Sequence, residues 1–347
     1  MGATKATSIE EIEKYSDRIS ELMGFSEQEI AESKKDSEKS NPKYELIGKL
    51  MRRELRLSYS KMKHLSSPIN FIEAILNPKE RNTGMTLGTI VDCLLLTEHK
   101  FDEQFTIVKV APTTDKQDEF VKLVLDKMKL EPFSDDVFEE KFKEAISEGF
   151  GRVKTEGLEK YIIALIQGKE VISQDDYEKA KRIVDNLKES DEVCDELMLV
   201  EDFQKKLEFN YKGWNFLCFL DTFFPEGFHD LKFASDCHPE KFEKDIVKFG
   251  YDIQLGIYSI GFEVLYGNFN PIVKHIVFDA IGNYTVLNID SAYINYCKRK
   301  VDFLIHCLEK MISEKAFNKS YNFFRSQNTI YKPKWAPGFD LSIFETE

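Results

Sequence analysis

The fold is decided by residues 214–258, WNFLCFLDTFFPEGFHDLKFASDCHPEKFEKDIVKFGYDIQLGIY. Apolar, aromatic and β-branched residues run through Trp214–Asp221 and again through Phe228–Phe233, as in strands of a buried sheet. Pro225, Glu226 and Gly227 between them are a turn signal, so the pair reads as a hairpin with an acid at the end of each apolar run. After Pro239 the period lengthens to that of a helix in EKFEKDIVKF. Gly250 interrupts it, and a second apolar helix covers Tyr251 to Leu265.

Working outward, KKLEFNY precedes this hairpin as a further strand, and PIVKHIVFDA and NYTVLNI follow as two more, joined by Gly282 and Asn283. A long closing helix begins at SAYINYCKRK, with Ser291 as its candidate N-cap. Upstream, a strongly apolar helix spans Thr86–Thr97, with Gly88 and Asp92 four apart and therefore on one face. Between that helix and the strands, residues 107–200 open with the strand-like IVKVAP and continue as charged helical text, which reads as a helical insertion. Residues 1–56 are Lys/Glu-rich with helical periodicity, an N-terminal extension to a domain over 57–347. The aromatic, basic tail YNFFRSQNTIYKPKWAPGFD is expected to dock on the body. Strands and helices both occur along the chain, and the class is read as α/β.

The chain has 347 residues, enough for a sizeable core, with 42% hydrophobic and 31% charged residues. Its net charge of −13 argues against nonspecific coating of a polyanion, which needs clustered Lys and Arg. It leaves room for a local basic groove leading to a metal site. The sequence holds no apolar run long enough to span a bilayer, and the N-terminus lacks a signal-peptide core. It starts Met-Gly but has Ala6 where a myristoylation signal requires Ser or Thr. A cytoplasmic location is therefore expected. Six scattered cysteines without a C-x-x-C pair argue against zinc, iron–sulfur and disulfide frameworks.

Chemistry concentrates around Asp230-Leu231-Lys232. In a strand, residues two apart face the same side, so Asp230 and Lys232 emerge together while Leu231 points inward. Asp221, across the hairpin turn, lies near Asp230, and two neighbouring carboxylates repel unless a cation sits between them. Hard oxygen ligands suit Mg²⁺ or Mn²⁺, which can activate a water and neutralise phosphoryl charge. Lys232 is placed to orient or help deprotonate that water. Asp92, an acid inside an apolar helix, needs a partner or a cation. Gln254 and Tyr258 share a helix face at i and i+4.

In order along the chain, Gly88 and Asp92, then Asp221, then Asp230-Leu231-Lys232, then Gln254 and Tyr258 resemble the PD-(D/E)XK nuclease superfamily. Within it the chain is most similar to the RecB-like branch and its RecE-type (exonuclease VIII) phage and prophage exonucleases. The likeness covers residues 57–110 and 200–290. It implies a restriction-endonuclease-like fold, a mixed central β-sheet flanked by helices, and metal-dependent DNA hydrolysis with Mg²⁺ or Mn²⁺. Carried over by position, Asp221 and Asp230 are metal ligands, joined by the Leu231 carbonyl. Lys232 is the catalytic lysine, and Gln254 and Tyr258 position the site or the DNA backbone. The chain departs from the pattern at Asp92, where the branch usually has histidine; an oxygen ligand there retains Mg²⁺ or Mn²⁺ binding.

Arg56, Ser58 and Ser60 offer a charge and hydroxyls as a DNA-binding anchor for a 5′-phosphate, or else a helix cap with a solvated Arg. Lys61, Lys63 and Arg81 are candidates for a basic groove. The resemblance further implies double-stranded DNA ends as substrate, a single-strand annealing protein as partner and a ring-shaped homo-oligomer. The expected activity is exonucleolytic degradation of duplex ends for recombination. Alternatives are an endonuclease of the same superfamily in defence or repair, or a non-catalytic DNA-binding scaffold.

Overall fold

A computed structural model describes residues 41–78, 83–129 and 131–324. The expectations for residues 1–40, for Arg81 and for the tail beyond Phe324 lie outside the described residues. The chain divides into two compact units, 1–78 with 212–215 and 302–347, and 79–211 with 216–301.

In the first unit, helices α1 (Pro42–Met51) and α2 (Pro68–Leu76) each begin with proline after a capping Asn41 or Ser67, whose side chain accepts a first-turn N–H. Trp214 is fully buried there and donates its indole N–H to Glu309 Oε1 at 2.7 Å. Arg53 bonds Glu309 Oε2 at 2.8 Å, so one carboxylate satisfies two donors.

The second unit holds a helix α3 (Thr83–Leu96) and the strands β1 (Phe105–Val108), β2 (Glu170–Ser173), β3 (Asp202–Tyr211), β4 (Trp214–Phe223), β5 (Gly227–Phe233), β6 (Ile272–Phe278) and β7 (Tyr284–Asn288); the first residues of β4 belong to the first unit. β5 pairs parallel with β6, and β6 antiparallel with β7, giving a mixed sheet. β1 and β2 form a separate parallel pair. β5 stands at the edge of this three-stranded sheet yet is buried on both faces through Leu231. Helices α4 (Asp115–Met128), α5 (Asp135–Ala145) and α6 (Glu159–Ile166) pack their own cluster around Phe120, Phe138, Phe142 and Ile162. They are followed by α7 (Gln174–Lys188) and α8 (Asp191–Met198). Residues 107–200 are largely helical, and they also hold β2, a strand that the charged text does not announce.

The core that positions the site joins Ile90, Val91 and Leu94 of α3 to Ile183 and Leu187 of α7 and to Leu231, Ile276 and Phe278 of the sheet. Gly88 lets α3 approach β5 closely: a Cβ there would lie 3.0 Å from Cβ of Phe233. Helices α9 (Pro239–Phe249) and α10 (Tyr251–Tyr266) are separated by Gly250, which takes the left-handed conformation at φ 77°. α10 packs against α11 (Ser291–Ser313) at Gly256, where a Cβ would meet the Cys297 carbonyl at 2.4 Å. The first-turn N–H groups of α11 bond Asp290 Oδ1, so the cap lies one residue before the expected Ser291. Five of the six cysteines are buried thiols. No helix among the described residues is long and apolar enough to cross a membrane.

Candidate active site

The β4–β5 turn closes as a hairpin through paired backbone bonds between Phe224 and Gly227. Beyond it the two strands are stitched by side chains. The His229 N–H bonds Thr222 Oγ1 at 2.9 Å, and the Leu231 N–H bonds Asp221 Oδ2 at 2.8 Å. Oxygen atoms of β4 side chains take the N–H groups that a regular ladder would give to carbonyls. Asp221 is thereby pinned beside β5. Neither acid sits at a strand end as expected: β4 runs on to Phe223, and Asp230 lies at the centre of β5. Apolar text ends at these acids because the polar atoms are paired inside the fold, not because the strands stop.

Asp230 is 1% exposed. Its Oδ2 lies 2.6 Å from Lys232 Nζ and 3.0 Å from His275 Nδ1, and its Oδ1 receives Gln254 Nε2 at 3.3 Å. Gln254 Nε2 also reaches Tyr258 Oη at 2.7 Å, so the i, i+4 pair acts as a unit. Asp221 Oδ1 accepts from Gln204 Nε2 at 3.3 Å. Lys232 Nζ bonds the Leu231 carbonyl at 3.2 Å and stands 5.0 Å from the Tyr251 ring centre.

The charges are strongly coupled. Burial and then the charge of Asp230 push Asp221 up to about 6. Burial and then Asp221 raise Asp92 well above the carboxylate range, and its Oδ1 is buried without a hydrogen-bond partner. For Asp230 the pull of Lys232 and His275 outweighs burial and lowers the value. Burial alone would depress Lys232, but Asp230 and Asp221 overcome it and hold the ammonium protonated. Burial, Asp230 and Asp221 raise Tyr258, so its hydroxyl stays neutral.

The site therefore gathers three acids, Asp92, Asp221 and Asp230, and one cation, Lys232, that is already paired. Two of the acids are destabilised by negative charge, and an orphaned carboxylate oxygen lies among them. That donor set fits a hard divalent cation. Among the described residues no three His, Cys, Asp or Glu side chains already stand in a ligand cage; protein donors hold Asp221 and Asp230 instead.

Sequence reasoning missed Gln204, His275 and Tyr251. His275 carried a weak signal as the one histidine in the apolar run PIVKHIVF; Gln204 and Tyr251 carried none. Arg56, Ser58 and Ser60 lie in the first unit. Ser58 precedes a one-turn helix, Tyr59–Met62, without a side-chain cap bond, and its Oγ stands 2.9 Å from Ser60 Oγ. Arg56 is exposed.

Comparison with known proteins gives two findings. Residues 58–319 match a family described as a PDDEXK-like domain of unknown function (DUF3799). A solved structure from Eubacterium rectale, described as "Putative exonuclease", aligns with TM-score 0.46 and 12% identity over 84% of this chain and 92% of that one. No curated protein matches at a significant level.

Proposed function

The chain belongs to this PDDEXK-like family, and from that premise we propose that it is a Mg²⁺- or Mn²⁺-dependent deoxyribonuclease of RecE-like type, degrading duplex DNA from its ends. The observation that carries this reading is the acid cluster. Asp221 and Asp92 are both raised by burial and neighbouring charge, and Asp92 Oδ1 is left without a partner. Buried acids raised by one another's charge, with one oxygen left unpaired, are the condition that a bound cation relieves, and this supports the reading.

Asp92, Asp221 and Asp230 would hold the cation, with the Leu231 carbonyl close by. A bound Mg²⁺ or Mn²⁺ supplies an activated water and charge neutralisation at the scissile phosphoryl group. Lys232, held as a cation by Asp230, stabilises developing negative charge and orients the water by donating from Nζ. Its charge state favours that role over proton abstraction. Gln254 and Tyr258 keep Asp230 Oδ1 in place. Arg56, Ser58 and Ser60 are proposed to contact the DNA backbone. A single-strand annealing partner, a ring assembly and a role in recombination rest on the resemblance alone.

Purified protein with Mg²⁺ or Mn²⁺ is expected to release nucleotides from linear duplex DNA and to leave closed circles intact. Cutting of circles would indicate the endonuclease reading. Absence of cleavage with every divalent cation tried would sink the enzymatic one and leave a DNA-binding scaffold.

A further inference from the structure

We propose that His275 is a positioning residue for Asp230, and the inference rests on the nuclease reading above. His275 lies on β6 directly across the parallel register from Asp230, so the two side chains share one face of the sheet. It is fully buried, with its ring packed edge-on against Phe242 at 5.6 Å. Nδ1 stands 3.0 Å from Asp230 Oδ2 and 3.4 Å from the Asp230 carbonyl, while Nε2 is buried without a partner.

To donate to a carboxylate, the imidazole must carry its proton on Nδ1, and in the neutral ring this leaves Nε2 as a lone pair with nothing to accept from. An orphaned buried nitrogen is a standing cost. The neighbours on β6, Val273, Ile276, Val277 and Phe278, are all buried and apolar, so an apolar side chain would fill this place without that cost. What the histidine gives in return is its hold on Asp230. Lys232 and His275 together engage Oδ2, and Oδ1 receives one long contact, from Gln254 at 3.3 Å. The carboxylate is thereby held from β6 by His275 and from its other oxygen by Gln254. Partners of this kind orient a ligand without touching the metal.

The test compares His275→Asn, His275→Gln and His275→Leu with the wild type. An Asn amide nitrogen can stand where Nδ1 stands, whereas a Gln amide places its donor nearer the position of Nε2. The readouts are Mn²⁺ affinity by calorimetry, kcat and KM on linear duplex DNA, and Tm. His275→Asn is expected to stay within a few-fold of wild type. His275→Gln and His275→Leu are expected to lose about 10–100-fold in Mn²⁺ affinity and in kcat, with KM for DNA little changed. If His275→Leu does not fold, the Asn and Gln variants carry the comparison. Equal Mn²⁺ affinity in the Asn and Gln variants overturns the proposal while the nuclease reading stands. A wild-type protein that neither binds Mn²⁺ nor cuts DNA overturns both.

Discussion

Lys232 and Asp230, two residues apart on β5, form an ion pair at 2.6 Å with 11% and 1% of their side chains exposed. A pair this buried holds its charges only while both members remain. Removing one leaves the other unpaired in a low-dielectric interior, at a cost of about 3–5 kcal/mol. Asp230→Ala and Lys232→Ala are each expected to abolish cleavage and to lower stability by that order. Lys232→Met combined with Asp230→Asn, which removes both charges at similar volume, is expected to be inactive yet more stable than either single variant. Denaturant melts and nuclease assays on the set decide it; additive losses in the double variant would contradict the pairing.

Asp92 offers the opposite signature. Its carboxyl is raised by burial and by Asp221, and Oδ1 has no partner, so in the metal-free protein its charge is a liability. Asp92→Asn keeps the shape and removes the charge. The metal-free variant is expected to melt no lower than the wild type at about pH 8, while its Mn²⁺ affinity falls by more than about tenfold. Wild-type affinity in this variant would remove Asp92 from the ligand set.

Asp221 sets the pH dependence. Its value in the folded chain is raised from 3.8 to about 6, so folding favours the protonated carboxyl. The stability it contributes is fully present below about pH 3.8 and is lost as pH rises through about 6, where the folded protein takes on an unwelcome charge. A cation binds the ionised form, so Mn²⁺ affinity is expected to climb across the same window. The Tm gain on adding Mn²⁺ should be larger at about pH 8 than at about pH 5. Asp221→Asn should flatten that difference. A Tm gain independent of pH in the wild type would show that Asp221 does not hold the ion.

What the sequence reveals here follows from periodicity. Asp230 and Lys232 are legible as neighbours because a strand repeats every two residues, and Gln254 and Tyr258 because a helix brings i and i+4 together. Both relations lie within one element. His275 is 45 positions from Asp230, and only the β5–β6 register joins them. Gln204 meets Asp221 through a backbone conformation that no spacing encodes. β2 is four residues in charged text, too short for a period to show. The acids at the ends of apolar runs suggested strand ends because buried partners cannot be read from composition.

Gln204 itself gives the last test. It takes φ 52°, the left-handed region, inside a β-strand, and its amide is aimed at Asp221 Oδ1. For a non-glycine residue that conformation costs about 1–2 kcal/mol, and such strain persists where the surroundings demand it. Gln204→Gly relieves it, offset in part by the greater chain entropy of glycine when unfolded. Tm is therefore expected to hold or rise by about 1–3 °C. The same change removes a hydrogen bond that lowers the Asp221 value, so the pH at which Mn²⁺ binding sets in should move upward. A more stable protein that needs higher pH to take up metal is the expected result. A lower Tm with an unmoved pH profile would mean that the strained residue serves the strand rather than the carboxylate.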